Sequence, residues 1–231
     1  ECIAIRGAES LTIRSLLDRQ QYADPQGLAA AAGINAATWP LFGVVWASGL
    51  HLAAHMAARP LVAGERVLEV GCGLALASLV CHRRGIDVTA SDRHPLAPDF
   101  LRRNVLLNGL APLTYASADW ADPAQGARGF DLIIGSDVLY ERDDHGLLAG
   151  FVDRHARPAA QVLIVDPDRG NRPAFTRRMA GLGFNLAQTA LRGHDDGHGA
   201  SYAGSMMTTT AGGSMSRSRV RAPRMSGLSH W

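Results

Sequence analysis

Val67-Leu68-Glu69-Val70-Gly71-Cys72-Gly73-Leu74-Ala75 decides the reading of this 231-residue chain. A short apolar strand runs into two glycines one residue apart, and the apolar residues after them open a helix. Glycine suits such a turn because it enters φ > 0 without a Cβ penalty and lets a ligand approach the bare main chain. The next apolar stretch, 86–90, reads as a second strand and delivers Asp92 to its carboxyl end. A carboxylate there can accept from both hydroxyls of a ribose. Strand, glycine turn, helix and distant acid together describe a nucleoside-binding crevice in an α/β fold.

Two side chains narrow the choice of nucleoside. A dinucleotide fingerprint wants a small residue at the sixth position of G-x-G-x-x-G/A, where this chain has Leu76. Glu69, two residues before Gly71, sits badly beside a pyrophosphate but helps orient a ligand that carries positive charge. S-adenosyl-L-methionine has a sulfonium and an ammonium and no phosphate, so Glu-x-Gly-x-Gly favours it over NAD. Gly71, Cys72 and Gly73 form the expected cradle.

Around this motif, strands at 66–70, 86–90, 113–116, 130–135, 161–165 and 184–191 alternate with helices at 75–84, 95–108, 145–154 and 173–182. Such alternation predicts a doubly wound, mostly parallel sheet of Rossmann-like α/β class. Leu132, Ile133 and Ile134 are consecutive, as expected of a strand buried on both faces. Residues 1–60 read as an N-terminal helical extension packing on the core. Its helices fall over 11–21 (Leu16 and Leu17 on the apolar side), 27–32 and 44–56. Residues 61–196 form the cofactor-binding core. Residues 197–231, rich in Gly, Ser and Arg, read as a flexible tail or one weak last strand over 201–209.

Composition excludes several classes. Hydrophobic residues make up 47% of the chain, yet no window holds about 18 uninterrupted apolar residues, so no membrane span is expected. No signal-peptide pattern opens the chain. Cys2, Cys72 and Cys81 show no metal spacing and fit a reducing, cytoplasmic setting. All 23 basic residues are arginine. Arg217, Arg219, Arg221 and Arg224 lie in 197–231 with no acid beside them, which leaves nineteen arginines against 21 acids elsewhere. No nucleic-acid surface is expected of such a body.

Further groups should converge at the carboxyl ends of the strands. Asp119-Trp120 follows the third strand: the acid can accept from an adenine amino group and the indole offers a flat face, unless they are a loop Asp and a core Trp. Ser136, Asp137 and Tyr140 leave the fourth strand, across the crevice from the glycines. Asp137 and Tyr140, three apart, share one side of a helical turn and could orient an incoming amine; otherwise Asp137 caps the next helix and Tyr140 packs. His145 is a candidate base, though its position suits a helix surface.

Over residues 38–192 the chain resembles the class I S-adenosylmethionine-dependent methyltransferases. Within them it is similar to the protein-lysine methyltransferases marked by Asp-x-x-Tyr after the fourth strand. The matching motifs are Val45-Trp46, Glu69-Val-Gly-Cys-Gly73, Asp92, Asp119-Trp120 and Asp137-Val-Leu-Tyr140. The resemblance implies that Trp46 covers the cofactor, Gly71 and Gly73 cradle its methionine part, Asp92 holds the ribose and Trp120 flanks the adenine. It places Ser136 near the cofactor and Asp137 and Tyr140 near the substrate, a lysine side chain of a protein. A small-molecule N- or O-methyl acceptor and a non-catalytic cofactor-binding module are the alternatives. Asp166-Pro167-Asp168-Arg169-Gly170, after the fifth strand, marks a similar bacterial subgroup. One departure stands out: such enzymes end in an antiparallel hairpin, and here its last strand must come from the polar residues 201–209.

Overall fold

A computed structural model describes residues 1–122, 129–192 and 202–211. Two short strands, β1 (Cys2–Ile3) and β2 (Leu11–Thr12), open the chain. Helix α1 (Leu28–Ala31), a 3-10 turn (Trp39–Gly43) and α2 (Ala47–Ala58) follow. The alternating core comprises β3 (Arg66–Val70), α3 (Leu76–Arg83), β4 (Asp87–Asp92), α4 (Ala97–Leu107), β5 (Thr114–Ser117) and β6 (Phe130–Ser136). It continues through α5 (Leu147–His155), β7 (Ala156–Asp166), α6 (Arg172–Gly181), β8 (Phe184–Arg192) and β9 (Ala203–Ala211).

Seven strands form one sheet in the order β5-β4-β3-β6-β7-β9-β8. The pairs from β5 to β7 are parallel, and β9 runs antiparallel to both β7 and β8. The strand order reverses between β3 and β6, which opens a crevice above the carboxyl ends of these strands. Val67, Leu68 and Val70 of β3 and Leu132, Ile133 and Ile134 of β6 are buried, as central parallel strands covered on both faces require.

The helix expected over 11–21 does not form. Leu11 and Ile13 are buried while Thr12 and Arg14 are exposed, a period of two that belongs to extended chain. Asn104 on α4 and Asn108 at its carboxyl-terminal cap, one turn apart, supply the hydrogen bonds. Asn108 accepts from the Thr12 amide and donates to its carbonyl, and Asn104 does the same for Arg14. Leu17 is 94% exposed rather than on an apolar face. The segment still packs on the core: Leu11, Ile13, Trp39 and Phe42 share a cluster with Leu76, Leu79 and Phe100.

The strand expected over 201–209 is present as β9 and is stronger than its composition suggested. It lies inside the sheet, so both its backbone edges are paired. Ser205, Met207 and Thr209 are buried on one face. The Tyr202 hydroxyl, just before it, meets Ser48 Oγ on α2 at 2.9 Å. Of the expected tail, 197–201 and 212–231 lie outside the described residues.

Candidate active site

A cleft of about 740 Å³ opens at the carboxyl ends of the strands. Trp46, Glu69, Gly71, Cys72, Gly73, Asp92, Asp119, Trp120, Ser136, Asp137 and Tyr140, the cofactor and substrate residues expected from the sequence, line it. Its size suits a ligand of nucleotide scale.

The glycine turn has φ +58 at Gly71 and +51 at Gly73. A Cβ on Gly73 would lie 2.8 Å from the Phe42 carbonyl oxygen, and one on Gly71 would lie 2.8 Å from Val138 Cγ1 and 3.8 Å from the Trp120 ring. The turn is therefore bare because neighbouring chain crosses it closely. The Cys72 amide donates to the Ser91 carbonyl at 2.9 Å, and burial pushes the Cys72 thiol well up, so it is neutral packing.

Asp92 organises that turn. Its Oδ2 accepts from the Gly73 amide at 2.9 Å and its Oδ1 from the His94 amide at 2.8 Å. Burial raises its pKa, and those backbone donors oppose the shift. Each oxygen keeps a second lone pair for a ligand hydroxyl. Glu69 is buried beside it and takes the Ser78 amide at 2.8 Å and the Ser78 hydroxyl at 2.5 Å. Burial lifts its pKa to about 7, Asp92 adds to the rise, and the Ser78 bonds oppose it.

The aromatic and loop residues close the sides. Trp46 immediately precedes α2, donates from its indole to the Leu41 carbonyl at 2.8 Å and carries the Arg19 guanidinium over its ring at 4.5 Å. Asp119 accepts from the Ala121 amide at 2.9 Å and so folds its own loop, while the Trp120 carbonyl is held by Arg154. Ser136 ends β6 facing Gly49 of α2.

Asp137 and Tyr140 do not sit on a helical turn. Asp137 has φ +56, the left-handed region unusual for a side-chain-bearing residue, and the residues to Tyr140 form a non-helical turn. Both still face the cleft. Asp137 does not cap α5; Asp143 does, accepting from the amides of Leu147 and Leu148. Tyr140 is 39% exposed; burial and Glu141 raise its pKa, with Arg93 opposing. Arg93 also pairs with Glu141 at 3.2 Å, joining the end of β4 to the Tyr140 turn. His145 is exposed and does not line the cleft.

The structure adds two residues. His94 is buried and stacks on Phe42 at 3.7 Å; burial holds its pKa near 4, so it is neutral. Arg169 reaches Asp137 at 2.5 Å. The Asp166–Gly170 motif was visible in the sequence, but nothing there said which of its charges faces Asp137.

A sequence profile described as lysine methyltransferase matches residues 39–178, well over half the chain and all of the cleft lining except Ile34 and Thr38. The chain belongs to the lysine methyltransferase family. Among its relatives, the electron transfer flavoprotein beta subunit lysine methyltransferase of Xenopus laevis is 31% identical over 133 residues, 56% of this chain and 53% of that protein. Calmodulin-lysine N-methyltransferase of Arabidopsis thaliana is 26% identical over 137 residues, 54% of this chain and 45% of that protein. The chain thus spans about half the length of these family members. Among solved structures, a methyltransferase from Pyrococcus furiosus superposes with a TM-score of 0.54 at 19% identity, over 64% of this chain and 76% of that one. Magnesium protoporphyrin IX methyltransferase from Synechocystis, solved with bound S-adenosylmethionine, gives 0.55 at 16% identity, over 71% and 78%. Both solved structures share the fold described above.

Proposed function

We propose that the protein is an S-adenosylmethionine-dependent methyltransferase that methylates a lysine side chain of a protein. The observation that carries this reading is convergence: Asp137 and Tyr140 line the same cleft as the Gly71–Gly73 turn and Asp92. The walls fit the cofactor. The Gly71–Gly73 turn lines the cleft for its methionine part, the free lone pairs of Asp92 suit ribose hydroxyls, and the acids Glu69 and Asp92 suit its positive charge. Trp120 stands beside the turn to flank a base. When bound, S-adenosylmethionine supplies an already activated methyl group.

What remains for the chain is alignment and desolvation. Holding a nucleophile in line at near-contact distance removes an entropic barrier that solution reactions face. A lysine ammonium with a reference pKa of about 10.4 must shed a proton, at a cost of roughly 4–5 kcal/mol at pH 7. Drying the amine between the Tyr140 ring and the cleft wall lowers that cost by disfavouring the charged form. His94, which lines the cleft, packs among Trp39 and Phe42 on the β4 side and is not assigned as a base. The free thiols Cys2, Cys72 and Cys81 support a reducing, cytoplasmic setting.

The test uses labelled S-adenosylmethionine and a cell lysate, followed by acid hydrolysis. Label in methyl-lysine supports the reading, and because this chain contains no lysine that product cannot come from the enzyme itself. Label confined to small molecules overturns it. Asp137→Asn and Tyr140→Phe should each lower turnover by about 100-fold while S-adenosylhomocysteine still binds.

A further inference from the structure

The Asp-x-x-Tyr acid is already paired. Asp137, with its side chain 12% exposed, holds the Arg169 guanidinium at 2.5 Å in an ion pair that is not aligned as a hydrogen bond. The same guanidinium nitrogen lies 4.0 Å from Asp166 Oδ2. Asp166 is fully buried: its Oδ1 accepts from the Arg169 amide at 2.8 Å, and its Oδ2 has no hydrogen-bond partner. Burial raises its pKa, and the nearby charge of Asp137 adds to the rise against Arg169. The loop that carries these groups is fixed elsewhere. Asp168 pairs with Arg172 of α6 and accepts from Ser205 Oγ of β9 at 2.5 Å. The backbone is thus anchored while one side chain faces two carboxylates.

We propose that Arg169 is a placeholder cation: it holds Asp137 until the acceptor's ammonium arrives there, and then shifts to Asp166. This rests on the lysine reading above. A largely enclosed carboxylate stripped of its partner is disfavoured, so Asp137 needs a counter-charge both before the acceptor arrives and while it binds as an ammonium. A shift of about an ångström brings Arg169 to charge-assisted hydrogen-bond distance of the unpartnered Asp166 oxygen. The exchange swaps one cation for another at Asp137, so an ammonium can make it and a neutral hydroxyl acceptor cannot. Arg169 is therefore a positioning residue that selects cationic acceptors.

The test measures binding of Nα-acetyl-lysine methylamide to protein saturated with S-adenosylhomocysteine, by calorimetry. Arg169→Met combined with Asp166→Asn leaves Asp137 as the one charge of the trio. That variant should bind the probe about tenfold tighter than the wild type, because the competent state no longer competes with the guanidinium. Asp166→Asn alone should bind it several-fold more weakly, and Arg169→Lys should resemble the wild type. Equal or weaker binding by the double variant overturns the placeholder and leaves Arg169 a simple brace. If the double variant does not bind S-adenosylhomocysteine, Asp166→Asn decides, and unchanged probe affinity overturns the proposal. No probe binding by any S-adenosylhomocysteine-bound form overturns both the placeholder and the lysine reading. The expected affinities, found together with label only in small molecules, overturn the protein substrate alone.

Discussion

The Gly73 amide donates to Asp92 Oδ2 at 2.9 Å, and this bond ties the turn after β3 to the acid at the end of β4. Asp92 therefore both shapes the cradle and faces the ligand. Asp92→Asn replaces one accepting oxygen with a donor set against a backbone N–H. It should cost about 1–3 kcal/mol of stability. It should also weaken S-adenosylhomocysteine binding. Urea denaturation and calorimetry read the two effects, and a variant that loses neither shows that the bond does not organise the site.

The two glycines should differ. At Gly73 the obstacle to a Cβ is the Phe42 backbone carbonyl, whereas at Gly71 it is a methyl of the buried Val138 side chain, which must repack. Both positions have positive φ, so alanine is strained at each by about 1 kcal/mol or more. Gly73→Ala should be the more destabilising by denaturation midpoint. Gly71→Ala should instead act mainly on cofactor affinity, since its methyl sits at the cradle beside Trp120.

Glu69 gives the stability a pH dependence. Its carboxyl is harder to ionise in the fold, near pH 7, than at its ordinary value of 4.5. Its protonated form therefore favours the folded state. That contribution is full below about pH 4.5 and is lost as pH rises through about 7. Glu69→Gln cannot ionise and still offers an oxygen to Ser78. Relative to this variant, the wild type should lose about 2 kcal/mol between pH 5 and pH 8 in denaturant titrations. Parallel curves for the two proteins would show that Glu69 ionises freely.

Tyr202 and Ser48 form a third testable pair. Their 2.9 Å hydrogen bond joins the entry of β9 to the start of α2. Tyr202→Phe and Ser48→Ala should each cost about 1 kcal/mol. The double variant should cost less than their sum, because the same bond is removed twice. Strict additivity would mean the two hydroxyls do not interact in solution.

Much of the site was legible because its motifs are local. A strand end, a glycine turn and an acid one strand later sit at spacings that the parallel βαβ unit imposes, so Glu69, Gly71, Gly73 and Asp92 could be placed from the chain alone. Three features could not. The 11–21 segment has apolar residues compatible with a helix, and the partners that make it extended, Asn104 and Asn108, lie some ninety residues away. The turn at Asp137 reads as helical because three-residue spacing is helical, whereas its left-handed φ is set by the β6–β7 register, where its amide bonds the Val165 carbonyl. The strength of β9 was hidden because its Gly is a poor strand former and its polar Ser and Thr residues leave no alternating apolar face to read. Between two neighbours, backbone pairing on both sides supplies what the side chains lack.

That arrangement has a consequence for biosynthesis. β8 pairs with β9, and β9 with β7. A ribosome therefore delivers both flanking strands before the one that must slide between them. The ligand-bearing half, from β5 to β7, can assemble early, while the far edge stays open until residue 211 has emerged. During that interval the inner edge of β7 is an unpaired template. A nascent chain stalled before Ala203 should be the species that chaperones capture.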